Sequence, residues 1–118
     1  MKIVYTDISD SSPEMAIRVF ERNKTIISEF DKNSVYSLVN AKDVRFNSKL
    51  IQVVKETVKE NNPYVRATAV SGLNTLTRLM VNSIVSFTGR EIKLFENEDE
   101  AKEWLYQRFL DVQPAFTP

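Results

Sequence analysis

Apolar residues recur along the chain in two rhythms, short strand-like runs and helical stripes, and these take turns from one end to the other. Ile3-Val4-Tyr5 opens as a short apolar run ending in Thr6-Asp7-Ile8, and Ser9-Asp10-Ser11-Ser12-Pro13 follows as a loop and helix start. Ser12 suits an N-cap and Pro13 the first helical position. Ala16, Val19, Phe20, Ile27 and Phe30 then recur at helical spacing, with Glu21, Arg22 and Lys24 between them, which predicts an amphipathic helix over about 13–29. Asp31-Lys32-Asn33 breaks that pattern. Ser34 to Val39 reads as a strand rich in β-branched and aromatic residues. Asn47 is placed to cap a second helix striped by Leu50, Ile51, Val54 and Val58, and Asn61-Asn62-Pro63 ends it.

The stretch from Tyr64 to Gly89 organises the rest. Val65 to Ser71 predicts a central strand, Gly72 a turn, and Leu73 to Thr88 a long helix stopped at Gly89. At about 100° per residue, Leu73, Leu76, Met80, Ile84 and Phe87 form the stripe expected to cover the sheet. Leu79 falls on one side of that stripe and Val81 and Val85 on the other. These three are either covered by neighbouring helices or left as an interface. Glu91 to Phe95 alternates polar with apolar, as an edge strand does. Asn97 to Glu100 then caps a helix carrying Ala101, Trp104, Leu105 and Phe109.

The order βαβαβαβα predicts an α/β fold: one domain over 1–110 with a tail at 111–118, and a four-stranded, mainly parallel sheet with helices on both faces. Right-handed crossovers favour strand order 2-1-3-4, with the first and third strands at the centre. Ligands of such sheets lie beyond the carboxyl ends of the strands, where neighbouring connections diverge. The expected crevice is therefore lined by Asp7 to Ser12, with Asp7 and Ser9 as the binding candidates, on one side and by Ser71, Gly72, Asn74 and Thr75 on the other, with Arg78 one turn up the helix.

Composition narrows the chemistry. Sixteen basic and sixteen acidic residues cancel and are interspersed, so no basic stripe points to nucleic acid. The apolar runs are too short to span a bilayer, and Met1-Lys2-Ile3 enters a strand pattern without a secretion-signal layout, so a cytoplasmic location is expected. The chain has no Cys and no His. That removes disulfides, thiol nucleophiles, the usual zinc ligand sets and every imidazole base. No cofactor and no metal are expected.

The strand-to-helix turn at Gly72 offers backbone amides to an anion. Ser71-Gly72-Leu73-Asn74 nevertheless lacks the second Gly and the Lys of a phosphate loop. A phosphoacceptor site would need an Asp where Ser71 stands. The acidic run Glu96, Glu98, Asp99, Glu100 is better explained by helix capping than by a cation site, and Trp104 by core packing than by ligand stacking.

Three phrases resemble a known family: Tyr64-Val65-Arg66-Ala67-Thr68-Ala69-Val70-Ser71-Gly72-Leu73, Phe87-Thr88-Gly89-Arg90-Glu91-Ile92-Lys93-Leu94-Phe95, and Glu100-Ala101-Lys102-Glu103-Trp104-Leu105. Together with Val44-Arg45-Phe46-Asn47-Ser48, they are similar to small bacterial STAS-like domains, often grouped as STAS/SEC14-type. The resemblance implies a regulatory module that binds a protein partner; with no evident nucleophile-base pair in the sequence, a non-enzymatic homodimer is expected, binding its partner through the mouth around Ser48 and Ser71 or through the flank of the long helix. In the anti-sigma factor antagonists of that family a Ser at a helix start is phosphorylated. Asn47-Ser48-Lys49-Leu50 is the corresponding stretch, with Asn for the family's Asp and no Gly. The lipid-carrying side of the family implies the alternative, a carrier or sensor of a small apolar or anionic ligand.

Overall fold

Every helix begins where a side-chain oxygen takes over a backbone N–H that the first turn leaves without a partner. Ser12 Oγ accepts from the Met15 amide at 3.3 Å, and the Oδ1 atoms of Asn47, Asn74 and Asn97 accept from the amides of Leu50, Thr77 and Glu100 at 2.8, 2.8 and 2.9 Å. The computed structural model describes residues 1–72 and 74–111. Within them run β1 (Lys2–Asp7), α1 (Pro13–Ile27), β2 (Val35–Asn40), α2 (Ser48–Asn61), β3 (Val65–Ser71), α3 (Thr75–Thr88), β4 (Ile92–Phe95) and α4 (Glu98–Asp111). The expected tail beyond Asp111 and the expected helix start at Leu73 lie outside the described residues.

All strand pairs are parallel, and the strands stand side by side in chain order, β1-β2-β3-β4. This corrects the expected order 2-1-3-4: β1 is an edge strand, and β2 takes the place beside β3. The reason is burial. In β2 five of six residues are buried, as a strand covered on both sides requires, whereas β1 leaves Ile3 and Tyr5 exposed. Trp104 packs on Phe95 with ring centres 5.8 Å apart, inside the core group of α4.

Alternate strand residues point to opposite sides of a sheet, and in β2 and β3 the two sets meet different helices. Tyr36, Leu38, Ala67 and Ala69 pack with Ala101 and Leu105 of α4. Val39 and Val70 instead join Ala16 and Ile17 of α1, Leu50 and Val54 of α2, and Val81 and Ile84 of α3. The three crossover helices thus share one core.

Helix α3 is turned relative to the stripe its sequence suggested. Thr77, Val81 and Ile84 are buried, while Leu76, Leu79 and Phe87 face solvent. The expected interface trio therefore divides: Val81 is core, Val85 packs against the core, and Leu79 is exposed. The helix runs from Thr75, behind Asn74, and ends on Gly89, whose positive φ of 72° and amide bond to the Val85 carbonyl at 2.8 Å close the last turn.

Candidate functional site

The strand order decides what lies at the carboxyl ends of the strands. Because β2 separates β1 from β3, no crevice forms between the first and third strands. The connections are instead stitched together: the Asp10 amide donates to the Lys42 carbonyl at 2.9 Å, the Arg45 amide to the Ser11 carbonyl at 3.1 Å, and the Ala41 amide to the Ser71 carbonyl at 2.9 Å. A hollow of about 250 Å³ remains farther along, among Lys42, Asp43, Gly72, Asn74 and Glu96.

Of the ligand- or partner-binding residues expected from the sequence, only Gly72 and Asn74 reach that hollow. Asp7 and Ser9 pair with each other at the end of β1, where Asp7 Oδ1 accepts from the Ser9 amide at 3.0 Å and from its hydroxyl at 2.6 Å. Those bonds hold the Asp7 carboxyl below its ordinary range, which makes it a poor base for the neighbouring hydroxyl. Asn47 and Ser48 begin α2, with Ser48 exposed. Ser71 is buried, and Thr75 and Arg78 point to solvent on α3. One Lys against two carboxylates gives the hollow no cationic cradle for a phosphate. Among the described residues, no group of three or more acidic side chains is placed to hold a metal ion.

A second concave feature lies inside the fold, beneath α1, α2 and α3. It consists of two adjoining chambers that share Phe20, Val39, Val58 and Thr68 as walls. The larger holds about 60 Å³ and is lined by Ile8, Val54, Val70, Met80, Val81 and Ile84, among others. The smaller holds about 40 Å³, and its walls include Thr6, Asn23, Ser37, Thr57, Asn61 and Arg90. Its floor follows from the register, because Ser37 of β2 and Thr68 of β3 are direct partners and both are buried.

Arg90 sets the electrostatics of the small chamber. It is 7% exposed, and its ion-pairing capacity is unused: the described residues place no carboxylate on it. Its Nε donates to Asn62 Oδ1 at 3.0 Å and its Nη2 to the Val58 carbonyl at 2.8 Å, while Asn62 Nδ2 donates to the Thr88 carbonyl at 3.0 Å. The side chain therefore clamps the carboxyl ends of α2 and α3, where the helix dipoles favour a cation. Burial pushes its pKa down to about 10, which still leaves it charged at neutral pH. The hydroxyls of Thr68 and Thr77, both on the chamber walls, find no hydrogen-bond partner among the described residues. In the sequence Arg90 and Thr68 stand out only as members of the phrases that carry the family resemblance, with no role of their own. Two hydroxyl residues interrupting otherwise apolar strands, Ser37 and Thr68, were the available signal.

A third feature is the outer flank of α3. Leu76, Leu79 and Phe87 are 48%, 58% and 53% exposed, and at about 100° per residue they share one side of the helix. Lys55 and Lys59 of α2 each hold Nζ 5.6 Å from the Phe87 ring centre. Comparisons of the chain with protein-family models, with curated proteins and with solved structures found no match.

Proposed function

We propose that the chain is a non-enzymatic interaction module that docks an amphipathic, acidic segment of a partner protein along the outer flank of α3. The exposure of Leu76, Leu79 and Phe87 on one side of one helix carries the reading, since single exposed apolar residues are ordinary but a row of three is a contact surface in waiting. The charge around the row selects the partner. Helix α3 has no acidic residue, and Lys55 and Lys59 border Phe87, so carboxylates beside an apolar stripe complement it. Because α3 carries no carboxylate, the same flank of a second copy offers the Lys55 and Lys59 border no opposite charge, which favours a different protein over a homodimer here. The resemblance to STAS-like regulatory domains supports the same class of function.

A photo-cross-linking residue at position 79, introduced in the native host, tests this. The expected product joins the chain to a peptide that is amphipathic and acidic, and Leu76→Glu abolishes it. Such surface changes alter stability by only about 0.5 kcal/mol, so the loss reads binding. Cross-links confined to a second copy of the chain, or cross-links that survive Leu76→Glu, would overturn the proposal.

A further inference from the structure

The interior chambers carry an inference that goes beyond protein docking. A buried charge is ordinarily paired or bound, because leaving it uncompensated in a poorly solvated interior is costly. Arg90 has five N–H donors. Two of them, Nε–H and one on Nη2, find protein acceptors, and both acceptors are neutral. Beside it lie Thr68, 5% exposed with an unpartnered hydroxyl, and the buried side chains of Ser37 and Asn61. Across the shared wall the surroundings change to Val70, Val81 and Ile84. One end of the space thus offers a cation and several hydrogen-bonding groups, and the other offers hydrocarbon.

We propose that this space is a binding site for a short-chain monocarboxylate, with the carboxylate held between Arg90, Thr68 and Asn61 and the alkyl chain lying against Val70, Val81 and Ile84. Size points to the same class. One water-sized group needs about 10–15 Å³ of such space, so the chamber of about 40 Å³ fits the three heavy atoms of a carboxylate and the one of about 60 Å³ fits a tail of a few carbons. A phosphate, with five heavy atoms and two negative charges, is too large for the first and finds only one cation there. A guanidinium with free N–H groups pairs with a planar carboxylate through two parallel bonds. Phe46 and Met80, both only partly buried, wall the larger chamber, so passage from solvent requires side-chain movement at that end rather than unfolding of a helix.

The test is methyl-detected NMR on the full chain, titrated with butyrate and, separately, with 1-butanol. Butyrate is expected to shift the Val39, Val58 and Ile84 methyls saturably, and 1-butanol, with the same tail and no charge, to bind about tenfold more weakly or worse. Arg90→Gln removes the charge but also loosens the clamp on α2 and α3. Thr68→Val is therefore the second variant: it keeps the side-chain shape, removes the hydroxyl, and is expected to weaken butyrate several-fold with 1-butanol unchanged. Equal affinity for butyrate and 1-butanol would overturn the proposal. So would the absence of saturable shifts at millimolar butyrate, in which case the chambers hold ordered water only. Neither result bears on docking at α3, which the cross-linking experiment reads separately.

Discussion

The two glycines of the chain differ in what surrounds them, and replacing each by Ala separates backbone strain from close packing. Both have positive φ, 93° at Gly72 and 72° at Gly89, so an L side chain costs about 1–2 kcal/mol at either position. At Gly89 that is the whole cost, because a Cβ there meets nothing within 4 Å among the described residues. At Gly72 the same atom would lie 2.4 Å from the Lys42 amide nitrogen, 2.6 Å from Lys42 Cα and 3.0 Å from the Ala41 carbonyl carbon. All three are backbone atoms, which cannot rotate aside. The segment that must shift carries the Ala41–Ser71 and Asp10–Lys42 hydrogen bonds, each 2.9 Å long. Forced overpacking adds about 1–3 kcal/mol, and weakening those bonds adds up to about 1 kcal/mol each. Gly72→Ala is therefore expected to cost about 2–7 kcal/mol and Gly89→Ala about 1–2 kcal/mol. Urea denaturation with unchanged m-values measures both. Equal costs, or a larger cost at Gly89, would refute the reasoning that Gly72 is required by the approach of β3 to the β2 loop.

Two further outcomes follow from local geometry. Asn47→Ala and Asn74→Ala each remove the side chain that satisfies a helix's first turn, and each is expected to cost about 1 kcal/mol by denaturant midpoint, additively in the double variant; no cost at Asn74 would mean that α3 does not begin there. The Asp7 carboxyl, held below 3.8 chiefly by the Ser9 hydroxyl and then by its amide, is expected to titrate below that value by NMR and to move back toward it in Ser9→Ala. Because the folded value is the lower one, its contribution to stability is present above pH 3.8 and fades as pH falls through the folded value. A midpoint at or above 3.8 would show that the Asp7–Ser9 turn does not persist in solution.

Local structure was largely legible in the sequence. Ser12 before Pro13, Asn47, Asn97 and Gly89 all terminate helices where their chemistry indicated, and Val65 to Ser71 is a strand over that same range. Strand order was less so, because right-handed crossovers permit several layouts and only burial distinguishes them. Val35, Tyr36, Leu38 and Val39, apolar on both sides of the strand with only Ser37 between them, were the cue that β2 is central. The rotation of α3 was hidden for a related reason. Leu76 and Phe87 are more hydrophobic than Thr77, yet Thr77 is buried, so the packing of the three crossover helices, not the strongest stripe, sets which side of α3 faces inward. Arg90 gave no sign of burial, since nothing in a Gly-Arg-Glu connector tells that the guanidinium turns in toward the ends of two helices.

Strand order also explains why the features capable of binding are where they are. When successive strands are neighbours and their crossover helices join one core, the connections at the strand ends have no point at which they part to opposite sides, and the crevice typical of doubly wound sheets is lost. Three helices then share the task of covering one side of the four strands, the side opposite α4. Strand β4 is only four residues long, so α3 has little sheet to cover there, and part of its apolar surface is left outward as Leu76, Leu79 and Phe87. Beneath the same layer, Ser37 and Thr68 place polar groups at the centre of the sheet, where helix side chains do not fill the space above them. The outer flank of α3 and the chambers around Arg90 are thus two results of one arrangement. Changing the packing of α3 should perturb both, whereas Leu79→Glu on its surface and Thr68→Val beneath it should each perturb one.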